Sequence, residues 1–246
     1  MFSNNIKFIA QDVIVEDKEL HPIPCKLNIP DWYKKLEHTI ENKTIKGCMP
    51  FLDTLTTGYI LKFPQEFHIT HNIYEEGKRA TKFETPLNPL SSEYPEVNLN
   101  FNQAEVHPTK QVGDKCPFAQ KNKNLPFYKI INPWTIKTPA GYSCLFVPPL
   151  NNNDDRFSII PGIVDTDNFD NEINFPIVIN GDKYPILKTT IKRGTPYVQV
   201  IPFKRDSWKM KIERRSKEKQ KKNRFTQNLH ILNNYKSIFW EKKSWK

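Results

Sequence analysis

The chain has 246 residues, 20 prolines against 8 glycines and a formal net charge of +10. That length suits one all-β domain or two small ones with a buried core, and so many prolines exclude long uninterrupted helices. No window approaches the roughly 18 apolar residues of a membrane-spanning helix, and the first 15 residues lack the basic and apolar regions of a signal peptide, so a cytoplasmic protein with no membrane span is expected.

Residues 6–15 alternate and are rich in Ile and Val, which predicts a strand. Pro30-Asp31 then opens a short helix with Trp32, Leu36 and Ile40 on one face. Residues 58–63 and 67–73 read as strands. The second carries His68 and His71, which three-residue spacing puts on opposite faces of a strand, arguing against a shared metal. Residues 84–126 contain Pro86, Pro89, Pro95, Pro108, Pro117 and Pro126 and read as an irregular insertion with short strands.

From Trp134 onward short strands follow quickly, at 135–138, 143–147, 159–164, 173–179, 184–187 and 197–203. Turns at Pro139-Ala140-Gly141, Asn180-Gly181-Asp182 and Arg193-Gly194-Thr195 punctuate them, and Asn180-Gly181 is a hairpin signal. The four cysteines, Cys25, Cys48, Cys116 and Cys144, form no C-x-x-C pair and read as free thiols, not a zinc site. The expected organisation is a strand and short helix in 1–50, a mainly β domain in 51–203 interrupted at about 84–126, and a separate tail in 204–246.

The charge is concentrated in that tail. Residues 204–246 hold 15 Lys and Arg against 4 Asp and Glu, whereas residues 1–203 hold 22 against 23. Residues 205–224 are a charge run of good helix formers. Phe225, Leu229, Leu232 and Phe239 follow at helical spacing with Ile231, Tyr235 and Ile238 beside them, and Trp240 and Trp245 stand among the closing lysines. Arg214, Arg215, Lys217, Lys219, Lys221, Lys222 and Trp240 are the candidate partner-binding residues. The tail suits a protein partner, a neighbouring subunit or nucleic acid; a solvated helix packed on its own domain is the plainer alternative. Zinc-finger spacing, an RNP motif and a GXXG loop are all missing, so sequence-specific reading of nucleic acid is not expected.

One stretch carries candidate chemistry. Residues 158–172 (SIIPGIVDTDNFDNE) run from an apolar segment through Gly162 into a turn bearing Asp165 and Asp167. Carboxylates two apart on extended chain face one side, where they can hold a cation, activate water or bind a hydroxyl. A solvated Asp/Asn turn is the alternative.

Gly162, Asp165, Asp167 and Phe169, with Glu172 and Ile173 after them, resemble the signature of the dUTPase and dCTP-deaminase family. Residues 135–142 (TIKTPAGY) resemble that family's earlier strand and Pro-x-Gly-Tyr turn, and residues 191–201 (IKRGTPYVQVI) its closing strand, with Gln199. The order matches from Thr135 to Phe203. The resemblance implies a β-clip core, often trimeric, with Asp165 positioning substrate and activating water, Phe169 beside a base and deoxyribose, and Gly162, Asp167 and Tyr142 lining the ligand. It also implies Mg²⁺ if a deoxynucleotide is hydrolysed.

Several residues depart from the pattern. Asn168 is an extra residue inside the signature, and Ile60 replaces an acidic residue after Gly58-Tyr59. The Pro-Arg-Ser phosphate motif is replaced by 147–153 (VPPLNNN), with Arg156 as a displaced substitute, and the glycine-rich terminal arm is replaced by the basic tail. Without those phosphate donors, the electrostatic stabilisation that phosphoryl chemistry needs is missing. The expectation is a mainly β, dUTPase-like β-clip protein that binds or builds without catalysis and needs no cofactor. A divergent nucleotide hydrolase or sensor using Asp165 and Asp167, and a nucleic-acid-associated protein using the tail, are the alternatives. The richness in Asn, Lys and Ile suits an AT-rich viral or bacterial genome. β-clip domains also serve as capsid-decorating proteins of lambdoid phages, so a phage origin is expected, with the protein in the host cytoplasm or the virion.

Overall fold

The computed structural model describes residues 4–76, 80–84, 105–107, 109–125, 127–152, 154–218, 221 and 234–246. The chain is mainly β and its strands pair antiparallel. It divides into two units, each discontinuous in sequence. One comprises Met1–Ile23 and Gly58–Lys204; the other comprises Pro24–Thr57 and Arg205–Lys246.

In the larger unit the longest strand, β14 (Pro196–Lys204), lies between β3 (Tyr59–Lys62) and β9 (Tyr142–Val147). The four successive residues Tyr197, Val198, Gln199 and Val200 are all buried, as expected of a strand covered on both faces. Pairing to β3 ends at Val200, so Pro202 faces only β9, where a missing N–H is tolerated. Gly58 precedes β3 with φ +77°, and a Cβ there would lie 2.1 Å from the Val200 carbonyl oxygen. Only glycine allows that approach. β11 (Gly162–Val164) joins the outer side of β9.

Two further sheets complete the main core. One runs β10 (Phe157–Ile159), β12 (Phe175–Ile179), β7 (Phe127–Ile130) and β6 (Glu105–His107); the other runs β13 (Ile186–Ile191), β4 (Phe67–Asn72) and β5 (Thr81–Glu84). Aromatic rings meet between them. Phe63 lies 4.6 Å from Tyr197, 5.4 Å from Phe157 and 5.6 Å from Phe67, centroid to centroid. Such contacts add to the area buried by these large rings. On β4, His71 is buried and His68 exposed, in agreement with the expected opposite faces. A separate two-stranded sheet pairs β1 (Lys7–Ile9) with β8 (Thr135–Lys137), with Lys7 opposite Lys137.

Several expected elements differ. Residues 6–15 are not one strand: β1 stops at Ile9, and Asp12–Glu16 is a helix that buries Ile14. Asp12 in its first turn favours the helix N-terminus. The expected strand 159–164 is two strands in different sheets, because Pro161 cannot continue a ladder and the chain crosses there. Asn180-Gly181 forms a turn but no hairpin, since β12 pairs with β10 and β7 while β13 pairs with β4. Instead the Gly181 N–H donates to Lys121 O at 3.1 Å. The strand expected at 184–187 begins at Ile186 and runs to Ile191. Within the insertion, β6 and the helices Thr109–Val112 and Pro117–Lys121 are seen; residues 85–104 lie outside the described residues.

The smaller unit is largely helical turns. The helix Asp31–Lys35 ends before Leu36, so the expected Trp32–Leu36–Ile40 face does not form, and Tyr33 is buried instead. Tyr33 stacks on Phe51 at 5.8 Å, from the helix Met49–Thr56 that Pro50 opens. Residues 205–216 carry neither helix nor strand, contrary to the helix expected from their propensities. Their large apolar residues, Trp208, Met210 and Ile212, recur at every second position and do not make a helical stripe, and burial of such a stripe supplies most helical stability in proteins. Asn234–Ile238 is helical; the first part of the expected amphipathic helix, 225–233, lies outside the described residues.

Candidate functional site

The candidate aspartates are positioned by the β9–β11 ladder. Val164 pairs with Cys144, so the chain leaves β11 beside the start of β9. The chain does not stay extended there. Asp165 O accepts from both Asn168 N and Phe169 N at 3.0 Å, making a tight turn that includes the extra residue Asn168. The one-sided carboxylate pair expected of an extended segment is therefore replaced by two carboxylates on a turn.

Asp165 is tied to the start of β9 and Asp167 to the turn before it. Ser143 Oγ donates to Asp165 Oδ1 at 2.6 Å, and Gly141 N donates to Asp167 Oδ2 at 2.8 Å. Between them the buried Thr166 lies 2.7 Å from Thr138 Oγ1 and donates to Cys144 Sγ at 3.3 Å. Thr138 N reaches Thr166 O at 3.3 Å. Lys137 Nζ pairs with Asp170 at 2.5 Å and donates to the carbonyls of Asp167 and Phe169 at 3.3 Å. Side chains and backbone together latch the two loops. Gly141, at φ +81° with nothing within 4 Å of a Cβ, is required by its backbone angle.

The other expected ligand residues are near but not convergent. Tyr142 OH accepts from Asn4 Nδ2 at 2.6 Å. Phe169 and Gly162 are exposed. Burial pushes the Cys144 thiol up to about 11, so it is not a thiolate nucleophile at neutral pH. Arg156, read as a displaced phosphate ligand, forks onto Asp154 at 2.9 and 2.7 Å and donates to Thr189 Oγ1 at 2.5 Å. The Asp154 carboxylate holds the guanidinium even more firmly protonated. In the loop after β9, Leu150 N donates to Gln199 Oε1 at 2.9 Å.

Mg²⁺ is commonly held by one or two carboxylates together with substrate phosphates. Asp165 already accepts a hydrogen bond from Ser143 of β9 and Asp167 one from the Gly141 turn, and no group of three His, Cys, Asp or Glu side chains comes together among the described residues. The fit to that ion is poor.

Beside the latch lies a cleft of about 360 Å³ lined by Asn4, Asn5, Lys7, Lys137, Thr138 and Pro139. Residue patterns did not mark it, because its walls come from β1 and β8, far apart in sequence. In the other unit, Arg214, Arg215, Lys217 and Lys221 are exposed, and Lys219 and Lys222 lie outside the described residues. Trp240 differs from the expected partner-facing residue: it is half-buried and its indole N–H donates to Asp53 at 3.1 and 3.2 Å, beside a Lys243–Asp53 ion pair of 2.8 Å. No helix among the described residues is long and apolar enough to cross a membrane. No protein-family model matches the chain, and no curated protein matches it.

Proposed function

We propose that this is a non-catalytic binding or structural protein, phage-encoded and built on a dUTPase-like β-clip core, whose basic tail docks on a protein partner or a neighbouring subunit. One observation carries the reading. Trp208, Met210 and Ile212 are 91%, 83% and 87% exposed in a segment that alternates them with Lys209 and Lys211. Large apolar side chains held in solvent on a charged stretch suit a surface completed by another molecule. An extended partner-bound segment would put the three on one face and the lysines on the other. The latch supports the absence of catalysis, since both candidate carboxylates hold loops together.

Replacing Trp208, Met210 and Ile212 together with serine tests the reading, because these side chains are exposed and melting should be unchanged. The expected result is loss of self-association in sedimentation, or of a partner captured by the wild-type chain. Unchanged association in the triple variant would count against it. A screen of deoxynucleoside triphosphates with Mg²⁺, with Asp165→Asn as control, should show no turnover.

A further inference from the structure

Two surfaces of this chain are open and complementary. The first is the segment 205–216, which runs without helix, strand, turn or bend and exposes Trp208, Met210 and Ile212. The second is β11, an outer strand that pairs only with β9 among the described residues. One side of an outer strand presents unpaired backbone N–H and C=O groups, a template for a further strand. Ile163 at its centre is 63% exposed, and Phe169 on the following turn is 38% exposed. With both sets of apolar side chains in solvent, neither surface covers the other within one copy.

Charge selects the edge. Residues 204–217 hold seven Lys and Arg against Asp206 and Glu213. Lys211 pairs with Glu213, but both are mostly exposed, and such a surface pair contributes little. Residues 157–182 hold no Lys or Arg, and the turn after β11 carries Asp165, Asp167, Asp170 and Glu172. Lys137 answers Asp170, whereas Asp165 and Asp167 accept from the neutral donors Ser143 and Gly141, and Glu172 is exposed. Two other outer strands expose a large apolar side chain among the described residues, Ile186 on β13 and Ile9 on β1. β13 carries Lys188 between Lys183 and Lys192, and β1 carries Lys7 opposite Lys137. Like charge across a strand pair is destabilising, so both disfavour a basic strand.

We propose that residues 207–213 of one copy add as a strand to β11 of a second copy, with Trp208, Met210 and Ile212 against Ile163 and Phe169 and the basic residues meeting the carboxylates of the turn. In strand addition the backbone bonds supply affinity and the alternate side chains supply specificity. The two surfaces differ, so each copy gives one segment and receives another, and the contact closes as a ring or grows as a chain. The inference rests on the docking role proposed for the tail and names its acceptor.

The test is sedimentation of the full chain over a series of protein concentrations at low salt. The wild-type chain should associate as concentration rises. Ile163→Lys should weaken that association tenfold or more and melt like wild type, because the side chain it replaces is exposed, while Ile163→Val should retain it. Glu172→Lys, at an exposed position outside the strand, should weaken it too and reads the same contact should Ile163→Lys melt lower. A mixture of Ile163→Lys with the triple serine variant of Trp208, Met210 and Ile212 should associate although neither does alone, since one keeps the segment and the other keeps the edge. A wild-type chain that stays monomeric throughout overturns the proposal and leaves the tail to a different protein. Loss of association in the triple variant, with Ile163→Lys and Glu172→Lys unchanged, removes β11 as the acceptor but leaves the docking role standing. Unchanged association in the triple variant removes both, and a mixture that stays apart overturns the exchange between copies.

Discussion

Replacing Asp165 separates a latch from a catalytic group. Ser143 is buried, and its hydroxyl donates to Asp165 Oδ1 at 2.6 Å. A hydrogen bond to a charged group contributes about 1.5–3 kcal/mol. Asp165→Ala should therefore destabilise the fold by about 2 kcal/mol, which at about 2–4 °C per kcal/mol for a chain of this size lowers melting by roughly 4–8 °C. Asp165→Asn keeps an acceptor but loses its charge, so about half that loss is expected. A double-mutant cycle with Ser143→Ala in urea denaturation should give a coupling of about 1–2 kcal/mol. A coupling within about 0.3 kcal/mol of zero would refute the latch, since that is the scatter between independent sites. A catalytic carboxylate predicts the opposite sign, because removing a group held for chemistry commonly leaves stability unchanged or raises it.

Gly58→Ala should lose about 3 kcal/mol or more in urea denaturation, since its Cβ would sit 2.1 Å from Val200 O at a φ of +77°; a loss below about 1 kcal/mol would contradict the close approach. Burial lowers the His71 pKa to about 4 from an ordinary value near 6.5. The unfolded chain thus binds the proton first, and stability should fall by up to about 3 kcal/mol as pH drops from 6.5 to 4, with the drop reduced in His71→Gln; identical pH profiles would exclude the assignment. Asp53→Ala removes the acceptor of Trp240 and Lys243, so trypsin should cleave after Lys242 or Lys243 faster than in wild type.

The parts of the fold legible in sequence are those whose signal is local. The strand that opens on the buried run from Tyr197 to Val200 announces itself by apolar continuity, and β4 by alternation of buried and open positions. Where two elements of different type share one short pattern, periodicity fails. Residues 6–15 alternate, yet the last four of them belong to a helix that buries a single side chain, Ile14. Likewise Asn180-Gly181 specifies a turn but not which sheet the next strand joins. That choice is made by contacts from Lys121 and Asn122, the latter accepting from Ile179 N at 2.9 Å through its side chain.

The site was legible as a cluster but not as a chemistry. The Asp165 turn and the Gly141 turn are more than 20 positions apart, and the pairing of β11 with β9 brings them together. Which group each carboxylate faces depends on the β9–β11 register: shifting it by one residue would reverse the faces of the side chains beyond Val164. The same holds for Arg156. Counted by position, it is the arginine near the loop at 147–153; in the fold it is held by its neighbour Asp154 and by Thr189 on β13. Lys7 and Lys137 show the converse. Lys7 stands in no motif and Lys137 in the stretch that ends in the Pro-x-Gly-Tyr turn, and only the pairing of β1 with β8 sets the two residues opposite each other beside a cleft. Charge is legible in sequence as a sum, whereas which charged residues stand opposite each other across a sheet is a property of the ladder.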